Sequence, residues 1–220
     1  MDGENVSAVS TDGGRNLNTM SAMADEVHTE AHGEVAEPQE RLDPEARARR
    51  VAALEQIRKY GDPALRSRAL EIDRFDDALV DEVRRMGRLM HDAYGVGLAA
   101  TQVGVMHRLL VYRTELEGAV AALANPVLEW ASKETESAEE GCLSLPGVGV
   151  DVDRPVHVRV RGQDEYGKPI LIEASGLEAR VIQHEMDHLD GVLILDRTSR
   201  DQRKQAMRAL REALEPRAAA

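Results

Sequence analysis

Only one of the 220 residues is a cysteine, Cys142, and only 3% are aromatic. A single thiol excludes an intramolecular disulfide and suits a reducing compartment. With so few aromatic rings the core must come from Leu, Val, Ile, Ala and Met, and 42% hydrophobic residues suffice for one domain. No run approaches the ~18 apolar residues of a membrane span. The N-terminus lacks the basic and apolar regions of a secretory signal. These absences together predict a cytoplasmic protein without a membrane partner.

Basic residues are scarce at the start of the chain. Residues 1–40 hold nine acids and one base, Arg15, so they carry −8 of the net charge of −12. The other 180 residues are only mildly acidic, and nothing in the balance predicts specific DNA binding. Rich in Gly, Ser, Asp, Glu and Ala and without periodicity, residues 1–40 read as a disordered acidic tail. Residues 41–215 read as the catalytic domain and 216–220 as a disordered end.

Within the domain, Asp43 and Pro44 are an N-cap and a first helical residue, followed by Val51, Leu54 and Ile57 at helical spacing until Gly61-Asp62-Pro63. The segment from Phe75 is a second helix with a stripe of Leu79, Val80, Val83, Met86, Met90 and Ala93, ending before Gly95. Beyond it "RLLVYRT", "AALANPVLEW", "VHVRVRG" and "PILIEAS" are short, β-branched and partly alternating, the last two joined as a hairpin by "DEYGKP". Helices return in "GLEARVIQHEMDHLDGV" and "SRDQRKQAMRALREALEP". Strands grouped between helices predict an α+β fold rather than alternating βαβ units.

Three short stretches carry chemistry. "QHEMDH" contains His-Glu-x-x-His, which on a helix sets His184 and His188 on one face, close enough to share an ion. Glu185 is turned away by about a quarter turn and reaches a water rather than the ion. Asp187 is a candidate acceptor for the outer N–H of a ligand histidine. Two surface histidines on an amphipathic helix are the plainer alternative. "EEGCLSLPG" holds Cys142 in a glycine- and proline-containing stretch. A thiolate suits a borderline-soft ion, although a lone cysteine is more often a small buried hydrophobe. "GVGLAATQVG" has Gly95 and Gly97 for close backbone approach and an amide donor in Gln102. It lacks the Lys-Ser/Thr of a phosphate loop.

Together and in this order, "GVGLAATQVG", "EGCLS" and "QHEMDH" resemble the three signature motifs of peptide deformylases. "IRKYGDPALRSRALEI", "ANPVLEW" and "GKPILIEASGLEARVIQHE" extend the resemblance over residues 48–198. It implies a peptide-deformylase-like fold, with short antiparallel strands packed around a central helix carrying HEMDH, N-terminal helices and a C-terminal helix. It implies Cys142, His184 and His188 as metal ligands, Glu185 as the general base, and the Gln102 side chain and Leu143 N–H as oxyanion donors. Val96, Gly97 and Leu98 are then expected to pair with the peptide as an added strand, Gly141 to touch substrate, and Leu177 and Val181 to form an apolar methionine pocket, with the stem of Arg180 at its rim. The ion implied is Fe(II) in the cell, with Zn(II), Ni(II) or Co(II) possible in preparations. The reaction implied is removal of the formyl group from the N-terminal formylmethionine of nascent polypeptides. Many relatives place a basic residue and a proline where this chain has Gly149 and Asp153.

Two rivals are testable. A metallopeptidase needs a third ligand downstream, where no histidine follows His188 and the acids include Asp196, Asp201, Glu212 and Glu215. A non-catalytic or accessory paralogue that binds formylated or nascent peptides predicts a decayed site, and no ligand or base position is lost. Arg197, Arg200, Arg203, Lys204, Arg208 and Arg211 form a basic cluster that is either a solvated helix face or a ribosome-docking surface.

Overall fold

The computed structural model describes residues 43–115 and 118–214. The acidic tail at 1–40 and the end at 216–220 lie outside the described residues. The first helix, α1 (Pro44–Gln56), starts where its capping residues place it, with Asp43 accepting from Ala46 N at 2.8 Å. A short 3₁₀ turn at Pro63–Arg66 leads to α2 (Asp77–Asp92), capped by Asp76. Then come β1 (Gly97–Ala99), a 3₁₀ turn at Ala100–Val103, β2 (Leu109–Tyr112) and β3 (Ala121–Ala131). Two hairpins follow, β4 (Thr135–Gly141) with β5 (Gly149–Pro155), and β6 (His157–Gln163) with β7 (Pro169–Ser175). The chain closes with α3 (Gly176–Leu189) and α4 (Arg200–Leu214).

Among the described residues all strand pairs are antiparallel. One sheet runs β1-β2-β3-β6-β7 and β4-β5 forms a second, two-stranded sheet. The fold is α+β, with helices and antiparallel strands segregated along the chain. Helix α3 packs against β1, β2, β5, β6 and β7, and so lies at the centre of the strands.

Two readings of the sequence change. Helix α1 buries Ala46, Arg50 and Ala53, with Ile57 just beyond its end, while Val51 is 52% exposed and Leu54 is only half-buried. The buried positions lead to Ile57 through Ala46, Arg50 and Ala53, so of the expected Val51, Leu54 and Ile57 only Ile57 is fully buried. The β4–β5 hairpin is an addition. Its inner face carries Val150, Val152 and Arg154 at alternate positions, a period of two. A buried arginine and glutamate in the row mask that pattern from hydrophobicity alone.

Three buried clusters divide the interior. The first joins α1 and α2 to the sheet and includes Leu98 and Leu143. The second lies between the sheet and α3 and includes Val96 and Val181. The third lies under α4 and includes Cys142, Val150 and Leu195. The candidate site occupies the place where all three meet, so its side chains are held from several directions.

Candidate metal centre

Helix α3 supplies His184 and His188 one turn apart, with ring centroids 5.0 Å apart. The segment after β4 brings in Cys142, whose Sγ is 3.2 Å from His188 Nε2. One ligand atom each from Cys142, His184 and His188 lie within 4.8 Å of one another. One thiolate and two imidazoles converging in a buried site suit a borderline divalent ion and leave a fourth position for water.

The outer contacts orient this set. His184 Nδ1 lies 3.0 Å from Glu140 Oε2, so the N–H donates to the carboxylate and Nε2 is turned toward the thiol. Glu140 is almost fully buried, and burial by itself would raise its pKa. Hydrogen bonds from Arg154 and His184 outweigh that and hold the carboxyl well below the usual range. Arg154 donates from Nε at 2.6 Å and Nη2 at 2.9 Å to Glu140, and Arg180 Nη1 adds a bond at 2.8 Å. For His188, burial and then the neighbouring His184 lower the pKa well below its ordinary value and favour the neutral ring a ligand must be. Burial opposes charge on His184 too, but hydrogen bonds with Cys142 and Glu140 raise its pKa well above the ordinary value. A cation at this position takes the place of the proton those two groups favour.

Asp187 does not serve the ligand histidines. It accepts from Arg154 Nη1 at 2.9 Å and from Arg197 Nε at 3.1 Å, and Glu140 holds the imidazole instead. Arg180 lines the cleft, as expected of its stem, while its guanidinium is turned into the interior. It is 4% exposed, with its guanidinium bonded to Glu140 and to the carbonyls of Val152 and Glu136. Glu140 and Arg154 were missed as members of the site. Val150, Val152 and Arg154 stand at alternate positions in β5, which was the one signal for Arg154; β4 carries no such pattern for Glu140.

Glu185 is 4% exposed and its Oε2 has no hydrogen-bond partner among the described residues. Burial pushes its pKa up to about 7 against the pull of His184 and Arg154, a value matched to proton transfer near neutrality. Gly97 makes room for it: a Cβ there would stand 2.3 Å from Glu185 Oε1. Gln102 is fixed by its own backbone neighbourhood, its Oε1 accepting from Ala99 N at 2.9 Å, while Nε2 donates to Ser144 Oγ at 3.2 Å and faces Cys142 Sγ at 3.6 Å. Lys59 Nζ holds the Leu143 carbonyl at 2.9 Å.

A cleft opens onto this set. It is lined by Gly95, Val96 and Gly97 on one side and Glu140, Gly141, Cys142 and Leu143 on the other, with Gln102, Arg180, Val181, His184 and Glu185 in its wall. Leu98 and Leu177 are not in that lining. Leu98 is wholly buried in the first core cluster, and Leu177 is half-buried against the second.

Comparison with known proteins shows the family. Residues 54–204 match the model of the polypeptide deformylase family. A peptide deformylase of Acidothermus cellulolyticus is 47% identical over 161 residues, covering 73% of this chain and 88% of that one. Peptide deformylase 1 of Corynebacterium glutamicum is 46% identical over 161 residues, covering 72% and 95%. Among solved structures, the peptide deformylase of Synechococcus elongatus in complex with actinonin superposes with a TM-score of 0.68 at 43% identity, covering 71% of this chain and 86% of that one. That of Legionella pneumophila gives 0.68 at 37% identity, covering 73% and 98%. The chain belongs to the polypeptide deformylase family, metal-dependent hydrolases that remove the formyl group from the N-terminal formylmethionine of newly made polypeptides.

Proposed function

We propose that this chain carries out deformylation with Cys142, His184 and His188 as metal ligands and Glu185 as the proton carrier. The observation that carries the assignment is the convergence of the three ligand atoms within 4.8 Å beside a buried Glu185 oxygen that has no partner among the described residues. Bound there, a divalent ion supplies Lewis-acid activation of the attacking water and of the formyl group. Glu185 takes the water's proton and returns it to the leaving amine. Gln102 Nε2 and the Leu143 N–H donate to the developing oxyanion, each such donor contributing ~3–4 kcal/mol.

Substrate binding follows from the cleft. β1 is an edge strand of its sheet, and we assign Val96, Gly97 and Leu98 to backbone pairing with the formylated peptide. Gly141 gives the peptide close access to the opposite wall. Val181 lies in the wall and is assigned to the methionine side chain. Leu177 supports that wall from the adjacent core.

Fe(II) is the ion we assign in the cell. The ligand set also accepts Zn(II), Ni(II) and Co(II), and the iron form is expected to lose activity in air as Cys142 oxidises. No helix among the described residues is long and apolar enough to cross a membrane, and we place the enzyme in the cytoplasm. We read residues 41–215 as the catalytic domain, 1–40 as an acidic tail and 216–220 as a free end. We assign the exposed basic side chains Arg200, Arg203, Lys204, Arg208 and Arg211 on α4 to docking on ribosomal RNA phosphates. Deleting residues 200–220 is expected to weaken ribosome co-sedimentation in a salt-dependent way, and unchanged sedimentation ends that assignment.

The direct test is formate release from a short formyl-Met peptide by protein prepared anaerobically with Fe(II) or Ni(II). Glu185→Gln is expected to abolish release while keeping one metal per chain, and Cys142→Ala to lose both metal and release. Release indifferent to both substitutions overturns the assignment. Cleavage of unformylated peptides that survives Cys142→Ala supports a metallopeptidase instead.

A further inference from the structure

The two groups assigned to the oxyanion come from segments far apart in the chain. Gln102 stands in the 3₁₀ turn after β1, and Leu143 in the turn after β4. Their spacing depends on something that touches both, and residues 57–60, which follow α1, do so. The Arg58 N–H donates to the Gln102 carbonyl at 2.7 Å, and the Tyr60 N–H donates to the Ser144 carbonyl at 3.0 Å. Between them Lys59 Nζ donates to the Leu143 carbonyl at 2.9 Å. Ile57 is buried in the same cluster as Leu98 and Leu143. The Arg58 side chain lies over Gly104, where a Cβ would stand 2.7 Å from its Nε.

The bond from Lys59 bears on the direction of the Leu143 N–H. A residue's N–H and C=O belong to two different peptide planes, each rigid and trans. The plane that carries the Leu143 N–H is held at its other end, where the Leu145 N–H donates to the Cys142 carbonyl at 2.8 Å. The Leu143 N–H points away from that carbonyl. The plane after Leu143 is held by Lys59. Hydrogen bonds therefore restrain the backbone on both sides of the Leu143 Cα, in a residue that lines the cleft. The Leu143 N–H itself has no partner among the described residues. Of the three bonds made by residues 58–60, only that from Lys59 comes from a side chain. An ammonium on a carbonyl is charge-assisted and stronger than a neutral pair.

Resting on the deformylase reading of this site, we propose that Lys59 is a positioning residue for the reaction. It holds the Leu143 peptide so that its N–H meets the developing oxyanion, and residues 58–60 set the spacing between that N–H and the Gln102 amide. Lys59 does not touch substrate. It acts through Leu143, and a donor displaced by 1 Å is enough to cost a reaction ~10²-fold.

The test measures kcat and KM for formyl-Met-Ala-Ser, the inhibition constant of unformylated Met-Ala-Ser, metal content and melting temperature. It uses the metal-loaded enzyme and its Lys59→Met and Lys59→Arg variants. Met keeps the aliphatic stem without the ammonium, and Arg keeps a cationic donor. The unformylated peptide reads the cleft alone, because it brings no formyl oxygen to the donors. Lys59→Met is expected to lower kcat about tenfold, part of the ~10²–10³-fold that a whole oxyanion donor contributes. KM, the inhibition constant and metal content should stay within about twofold, the pattern of an interaction made in the transition state. Lys59→Arg should recover most of the lost kcat. Unchanged kcat in Lys59→Met overturns the proposal and leaves the deformylase reading standing. So does a parallel loss of kcat, peptide affinity and melting temperature, which marks a structural role. If Lys59→Met fails to fold, Lys59→Gln carries the same comparison, and failure of both to fold also marks a structural role and overturns the proposal. Absence of turnover by the unsubstituted metal-loaded enzyme overturns both readings.

Discussion

Glu140 Oε2 lies 3.0 Å from His184 Nδ1, and the same carboxylate receives the guanidinium groups of Arg154 and Arg180. One buried side chain therefore orients a proposed metal ligand and pairs with two cations. Its loss has two separable consequences.

Replacing Glu140 by Gln keeps the shape but removes the charge that holds His184 in its ligating orientation. Metal affinity, read by competition with a chelator, is expected to fall by 10–100-fold. Glu140→Ala also leaves Arg154 with Asp187 alone and Arg180 with backbone carbonyls alone, so denaturant unfolding should show a loss of about 3 kcal/mol. A Glu140→Gln protein with unchanged metal affinity would remove the orienting role.

Gly97→Ala tests the close packing of the base. The added Cβ would stand 2.3 Å from Glu185 Oε1, so the carboxylate must shift. A displacement of that size in a reacting group is expected to lower kcat/KM by ~100-fold, with metal content and melting behaviour close to those of the unsubstituted protein. Full activity in this variant would show that Glu185 need not sit where the structure places it.

Asp196 couples stability to acid. Burial by itself would raise its pKa, but hydrogen bonds from Arg66 and the Leu193 N–H hold it below the ordinary 3.8. A carboxylate with a lowered folded-state pKa adds stability above its unfolded value, and that stability fades as pH falls through the folded value. Asp196→Asn is expected to be less stable than the unsubstituted protein by about 0.5–1 kcal/mol near pH 7. The two unfolding curves should converge below pH 4, and a gap that stays constant into acid would exclude the ionic origin.

Substitutions on α1 separate the two possible buried faces. Val51 is 52% exposed and Ala53 is 2% exposed. Val51→Gln should change stability by less than ~0.5 kcal/mol. Ala53→Leu should cost ~1–3 kcal/mol by overpacking the seam with α2. The reverse order in a denaturant titration would restore the face suggested by Val51, Leu54 and Ile57.

Helix ends and motif spacings were legible because they are local. Asp43-Pro44 starts α1 as its capping chemistry requires, and His-Glu-x-x-His puts its residues one helical turn apart whatever surrounds the helix. The β6–β7 hairpin was visible from its alternation and its turn residues. The β4–β5 hairpin was hidden, since its inward row includes Glu140 and Arg154, which read as surface residues until they are seen to neutralise each other.

By itself the sequence determined the family and the fold class, because both follow from residue patterns along the chain, and through the family resemblance it suggested the ligands, base and oxyanion donors proposed above. Tertiary structure decided which carboxylate serves the histidine. The sequence pointed to Asp187 and missed Glu140, yet α3 turns Asp187 toward Arg154 and Arg197 while β4 turns Glu140 toward His184. It also decided that Gly149 hands its space to Glu139 and Gly97 hands its space to Glu185. Contacts between distant segments depend on where two chains cross in space, and no local spacing rule encodes that.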